Sequence, residues 1–409
     1  MTSATRKPPG DGHRASPGSG GIGRGTVYLF AVATGLCVAN LYYCQPLLDA
    51  IADGLRVSRS TTALLVTFTQ LGYAAALVLV LPLGDLADRR RLIPGMAALT
   101  AAALAVTASA SSAPVLLAAA VVTGAGATTA QVLVPLAAAL ADDDTRGKVV
   151  GTVMSGLLLG ILVARTVAGY LAQLGGWRTV YATAAAVMLV LAAVLWWRLP
   201  AVPRATTLRY PALLASAVRI VREEPVLRFR ALLGALGFAV FSVLWTALTF
   251  LLSGAPYHYS PGTIGLFGLL GAVGALAAGA AGRVADRGGA GRFTTLTTAL
   301  LAVSWLPLVL GAHHVVALAA GIVLLDLAVQ GLHVTNQSQI YRLRPDARSR
   351  ITSVYMTAYF AGGAAGSALT PPAYERAGWT GVSVLGASLG AAAFLAWVAH
   401  GRSLRRHQR

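Results

Sequence analysis

The chain has 409 residues, 56% of them hydrophobic and only 11% charged, with a mean hydropathy of +0.69. No ordinary water-soluble domain has that composition, so the apolar segments are expected to lie in a bilayer. The net charge of +18 does not indicate nucleic acid as a partner, because the basic residues are scattered over seven short segments without aromatic interleaving or a binding domain to carry them.

Residues 1–25 are rich in Gly, Pro and Ser and are predicted to form a disordered N-terminal tail. The GSGGIG within it matches GxGxxG on paper, but no strand precedes it, so no dinucleotide site is expected. The apolar segment that follows is too long for a cleaved signal and lacks a clear small-residue cleavage site, so it reads as an uncleaved anchor.

A bilayer core of about 30 Å takes about 20 helical residues to cross. Spans are predicted at 26–48, 61–83, 92–111, 114–140, 149–172 and 178–198, and then at 229–253, 261–281, 293–311, 314–340, 352–372 and 380–399. The expected fold is therefore an all-α integral membrane protein with twelve transmembrane helices. They fall into two six-helix bundles, 26–198 and 229–399, joined by a polar linker at 199–228 and closed by a basic tail at 400–409.

Lys and Arg are retained on the cytoplasmic side of a membrane. With the N-terminus inside, the cytoplasmic segments hold 27 of the 32 basic residues, and the external loops keep only Arg56, Arg59, Arg178 and Arg376. Both termini are expected in the cytoplasm, and the protein in the cytoplasmic membrane. Cys37 and Cys44, seven apart on one face of span 1, read as packing residues; no disulfide framework, metal site or cofactor is expected.

Polar residues inside the spans carry most of the functional information. In span 10, VLLDLAVQGLHVTNQSQIY places Asp326, Gln330, His333 and Gln337 within about 60° of one another on a helix that turns about 100° per residue. Such a stripe is costly toward lipid and expected toward a water-filled pathway. Arg165, inside span 5, admits three readings: a side chain reaching toward the outer surface, a contact for an anionic substrate, or a partner for Asp326.

The chain also repeats itself. GDLADRRR at 84–91 recurs as GRVADRGG at 282–289, an offset of 198, while DTRGK at 144–148 matches DARSR at 346–350 and GGW at 175–177 matches AGW at 377–379, both at an offset of 202. The halves are parallel repeats. The same offset pairs Gln131 of span 4 with His333, and span 1 adds Asn40, Tyr43 and Gln45, with Trp245 and Phe250 at about the equivalent positions of span 7.

Twelve spans in two sixes, with GxxxDR after spans 2 and 8, resemble the major facilitator superfamily of secondary transporters over about residues 26–400. The NLYYCQPLL of span 1 and the D…Q..H..NQ run of span 10 are similar to those of bacterial efflux permeases that export drugs, sugars or nucleosides by proton antiport. The resemblance implies that spans 1, 4, 7 and 10 line the central cavity, and that Gly84, Asp88 and Arg89, with Gly282, Asp286 and Arg287 in the second half, act as gating elements. In that role the glycine lets spans 2 and 3 approach through a tight turn while the charges bind neighbouring helix ends; the plainer alternative is that the charges only mark a cytoplasmic loop. One departure is Arg91, Leu92 and Ile93 where the family has a second Gly followed by basic residues.

Span 5 keeps the spacing of a glycine pattern found in antiporter branches, with Gly151, Gly160 and Gly169, but it has Ala164 and Arg165 where those branches have Gly-Pro. Span 8 offers a matching small-residue surface in Gly262, Gly265, Gly268, Gly271 and Gly274. Tyr355 and Tyr359 of span 11, with Gly362 and Gly366, are adequately explained by helix packing.

The expected protein is a monomeric secondary transporter that exports a small organic solute by alternating access, with protons as the coupling ion. An importer or facilitator without proton antiport is the alternative. Asp326 is the candidate proton carrier, unless it is permanently bonded to a neighbouring helix such as the one carrying Arg165. His333, with an ordinary pKa of about 6.5, is a second candidate. No enzyme is expected: HExxH and GxSxG are absent, and Asp142 to Asp144 form the sole acidic cluster.

Overall fold

The structure is a computed structural model that describes residues 22–142, 144–200, 210–271, 289–344 and 347–407. Among them every regular element is helical. Gly274, Gly282, Asp286 and Arg287, and Asp346 of the DARSR landmark, lie outside the described residues.

The first half comprises α1 (Arg24–Ala39), α2 (Leu48–Leu55), α3 (Arg59–Leu79), α4 (Leu83–Leu86), α5 (Arg89–Ser109), α6 (Ala113–Ala127), α7 (Thr129–Leu140), α8 (Arg146–Gly175) and α9 (Trp177–Arg198). A linker helix, α10 (Tyr210–Glu223), leads to α11 (Pro225–Ser253), α12 (Pro261–Leu266), α13 (Ala290–Val303), α14 (Trp305–Leu310), α15 (Val315–Ile340) and α16 (Arg348–His407). Nine of the described helical stretches are long and apolar enough to cross a membrane, one of them the 55-residue Arg348–Arg402.

Several spans depart from their expected continuity. Span 1 stops being α-helical after Ala39, because Asn40 turns its amide onto the carbonyls of Leu36 and Cys37, at 3.0 and 3.3 Å, and Pro46 then lacks the N–H a helix would need. The chain continues as a turn and a short 3-10 segment, Gln45–Leu47, which carries Gln45 to the centre of the molecule. Span 4 breaks at Thr128, and span 7 begins at Pro225, inside the stretch read as linker. Arg230, counted among the loop charges by sequence, is therefore buried inside α11, donating to Thr294 at 2.9 Å and Asn336 at 3.2 Å.

The repeat is visible in local geometry. Ser58 caps α3 by accepting from the Thr61 amide, and Ser260, 202 residues on, caps α12 by accepting from the Thr263 amide. Gly176, between α8 and α9, has φ +78, and Gly378, at the kink dividing α16 into its two spans, has φ +55. Both GGW and AGW thus supply a glycine where the chain must turn left-handed.

The halves meet along two seams. Along the first, α3 lies against α16: Thr67 and Ser367 share a 2.6 Å hydrogen bond, and the Ser353 hydroxyl donates to the Leu77 carbonyl at 2.7 Å. The Tyr73 and Phe360 rings meet there in a tilted contact with centroids 4.1 Å apart. Along the second, α8 meets α12 at backbone distance, because a Cβ added at Gly265 would come within 2.5 Å of the Arg165 carbonyl. The Thr166 hydroxyl donates to the Gly265 carbonyl at 3.0 Å, and Gln173 donates to Ser260. Gly160 faces α1 at Gly35 rather than the other half, while Gly151 has nothing within 4 Å.

At the linker end, Arg344 bonds Glu224 at 2.7 Å and Glu223 at 2.9 Å, tying α10 to the turn after α15. These two hydrogen bonds, that to Glu224 first, raise the Arg344 guanidinium above its usual value, so the arginine stays charged at any ordinary pH. An apolar crevice of about 840 Å³ lies between α10, α3, α11 and α16, apart from the buried polar residues.

Candidate functional site

Two buried charges and one indole organise the middle of the molecule. Asp326, near the midpoint of α15, is 4% exposed, and Trp245 of α11 is 3% exposed. The indole Nε1 donates to Asp326 Oδ1 at 3.5 Å, while the guanidinium carbon of Arg165 lies 4.1 Å from the ring centroid of the same tryptophan. Asp326 thus meets the edge of the ring and Arg165 its face.

Arg165 does not reach for a surface. It is 3% exposed, its Nε donates to Gln45 Oε1 at 2.5 Å, and Tyr42 and Phe241 complete an aromatic enclosure at 4.6 and 5.8 Å. The broken end of span 1 is what delivers Tyr42 and Gln45 here, and Thr249 of α11 fixes that turn by donating to the Gln45 carbonyl at 2.5 Å. Residues from the broken end of span 1 and from α8 in the first half, and from α11 and α15 in the second, converge on one point. No direct ion pair joins Arg165 and Asp326 among the described residues.

A second polar group lies along the same aromatic belt. His333 Nδ1 and the Tyr355 hydroxyl are 3.1 Å apart, and the His333 ring is 4.6 Å from that of Tyr359. Rings continue from Trp245 through Phe241 at 5.9 Å to Phe238 at 5.3 Å, and from Phe238 to Tyr359 at 4.2 Å. Within the first half Gln131 donates to the Tyr73 hydroxyl at 3.0 Å, and across the seam Gln70 donates to Ser242 at 3.1 Å. Tyr355 and Tyr359 are therefore more than packing residues: one bonds His333 and both wall it in. Their sequence signal was the hydroxyl itself, since a buried tyrosine O–H normally needs a partner.

The remaining expected residues divide. Asn40 is buried and spent on its own helix's carbonyls, with Oδ1 unbonded. Tyr43, Gln330 and Gln337 are half-buried and make no side-chain hydrogen bond among the described residues. In the first-half loop motif, Asp88 caps α5 by accepting from the Arg90 amide at 2.9 Å, and Arg89 donates to the Gly84 carbonyl at 2.7 Å. Gly84 is needed against span 4 rather than span 3, since a Cβ there would lie 3.3 Å from Val132. Among the described residues no three His, Cys, Asp or Glu side chains gather as metal ligands would.

Comparison with known proteins agrees with this architecture. The family model of the Major Facilitator Superfamily matches residues 30–367 and 256–408. The chain is 52% identical over 371 residues to the uncharacterized transporter YgaY of Escherichia coli O157:H7, covering 91% of this chain and 94% of that one. It is 36% identical over 398 residues to "Probable transporter SCO4007" of Streptomyces coelicolor, covering 97% and 90%. A bacterial homologue of the human lysosomal transporter Spinster, in an inward-facing and occupied conformation, superposes with a TM-score of 0.74 at 14% identity, covering 92% of this chain and 96% of that one. The chain belongs to the Major Facilitator Superfamily and is a multi-pass membrane transporter, not an enzyme.

Proposed function

We propose that the protein is a proton-coupled exporter of a small organic solute, working in the cytoplasmic membrane by alternating access, with twelve spans and both termini in the cytoplasm. The observation that carries this is Asp326, a buried acid whose hydrogen-bond donor among the described residues is a neutral indole, while the neighbouring cation, Arg165, is held over the face of that ring. An acid so placed is free to exchange partners, whereas a direct ion pair would hold it. A proton and a positively charged or donor group of the solute compete for the same carboxylate. Each step of the cycle then carries one or the other, which is antiport.

Gating follows from the seams. Rocking one half against the other requires breaking the Thr67–Ser367 and Gln70–Ser242 bonds and parting α8 from α12. The turn at Gly84, Asp88 and Arg89 reads as the element that holds the linker-side ends in the opposite state.

The test uses energised inverted vesicles with a pH-sensitive dye, to which drugs, sugars, nucleosides and amino acids are added in turn. A solute that discharges the gradient with wild type and not with Asp326→Asn is the expected result. Solute uptake that proceeds regardless of the gradient, and unchanged in Asp326→Asn, would refute antiport and favour a facilitator.

A further inference from the structure

The two charges at Trp245 carry unused hydrogen-bonding capacity of opposite kinds. A guanidinium has five N–H donors in a fixed planar fork. In Arg165 the Nε–H is taken by Gln45, one Nη1–H reaches the Ile161 carbonyl of its own helix at 3.4 Å, and Nη2 has no partner among the described residues although it is buried. Leaving such a donor unbonded in the interior is costly, and an adjacent pair of free N–H groups is the geometry that takes a carboxylate.

Asp326 presents the complementary surplus. Its Oδ1 accepts from Trp245, and Oδ2 accepts from nothing among the described residues. Gly271 clears the space beside that oxygen, since a Cβ there would stand 2.9 Å from Oδ2. Spare donors, enclosed by Trp245, Tyr42 and Phe241, and a spare anionic acceptor at the edge of the same Trp245 therefore meet at one indole.

A solute with a single charge would satisfy one of these groups and leave the other uncompensated in a buried setting. A neutral polyol would neutralise neither. A molecule with one negative and one positive end satisfies both and adds no net charge to the interior.

Building on the transporter reading above, we propose that the carried solute is a zwitterion with a flat or apolar body. Its carboxylate takes the free edge of Arg165, its ammonium takes Asp326 Oδ2, and its body lies against Trp245. The proton competes with the ammonium end alone, and Arg165 supplies selectivity without taking part in the exchange.

The experiment measures ligand-induced thermal stabilisation of the purified full-length protein with matched triplets. Phenylalanine is set against N-acetylphenylalanine and phenethylamine, tryptophan against N-acetyltryptophan and tryptamine, and leucine against N-acetylleucine and isoamylamine. In at least one triplet the zwitterion should bind at least about tenfold more tightly than either single-charge analogue. Asp326→Asn should transfer the preference to the acylated anion, and Arg165→Gln should transfer it to the amine. A gained preference cannot come from a misfolded variant, so these two results carry the proposal even where affinity falls.

Equal binding within every triplet, or preference for one single-charge analogue by wild type, would overturn it. The dye assay separates the two claims. Discharge by a sugar or nucleoside, with no zwitterion preferred, leaves the transporter reading standing and removes this one. Zwitterion preference with no discharge by any solute removes proton coupling and leaves the zwitterion as the bound solute.

Discussion

Gly265→Ala tests how closely the halves must approach in this conformation. The added Cβ would lie 2.5 Å from the Arg165 carbonyl oxygen and 3.1 Å from the carbonyl carbon and from the Thr166 Cα, all backbone atoms that no rotamer change can move. Ordinary contact begins at 3.4 Å, so α12 and α8 would have to part by about 0.9 Å. Overpacking of that kind costs about 1–3 kcal/mol, which shifts the balance between this conformation and one with the seam open by about 5- to 150-fold. The Thr166–Gly265 hydrogen bond would stretch as well.

The assay is disulfide trapping between cysteines placed at Gln173 and Ser260, hydrogen-bonded across the same seam, with Cys37 and Cys44 replaced by alanine. Gly265→Ala should slow trapping by about tenfold. Gly151→Ala, on α8 with nothing within 4 Å, should not change it. Trapping at the wild-type rate in Gly265→Ala, or an equal loss in Gly151→Ala, would refute the argument that backbone contact at this seam defines the state.

Trp245→Phe retains a ring face for Arg165 but removes the N–H donated to Asp326; with a long bond of 3.5 Å worth about 1 kcal/mol, solute-driven discharge of the proton gradient should fall by about fivefold, and wild-type activity would count against Asp326 as the coupling group. At the linker, Arg344 and Glu223 are 37% and 43% exposed, so the tie is open to screening. Hydrogen exchange in α10 should therefore quicken in high salt and in the Glu223→Gln, Glu224→Gln double variant, and unchanged exchange in both would show that the bonds to Arg344 do not hold this helix.

The helical membrane fold was legible because it follows from composition and from a period that any helix obeys. That Asp326, Gln330, His333 and Gln337 share one face was legible because spacing within one helix is a local property, but only Asp326 and His333 of the four make side-chain hydrogen bonds among the described residues. The partners were not legible. Gln45 meets Arg165 across 120 residues and Trp245 meets Asp326 across 81, and nothing in either segment encodes that distance. From sequence, span 1 is expected to run straight through Pro46 to residue 48, and the actual turn, which delivers Tyr42 and Gln45 into the centre, depends on tertiary bonds such as Thr249 to the Gln45 carbonyl. The bonds of Arg230 to Thr294 and Asn336 were not legible for a related reason, since those partners lie 64 and 106 residues away.

The α8–α12 seam behaves as a plain bearing and not as a pair of meshed gears. Where interlocked side chains would have to unlatch one by one, here Gly265 and Gly268 slide over the Arg165 backbone and side-chain stem, and Gly169 over Pro261 and Gly262, with almost no rotamers to reset. Friction is then concentrated in a few polar latches, chiefly Thr166 to Gly265 and Gln173 to Ser260. A small number of weak latches on a smooth track lets one bound molecule, by its own contacts, decide which way the track comes to rest.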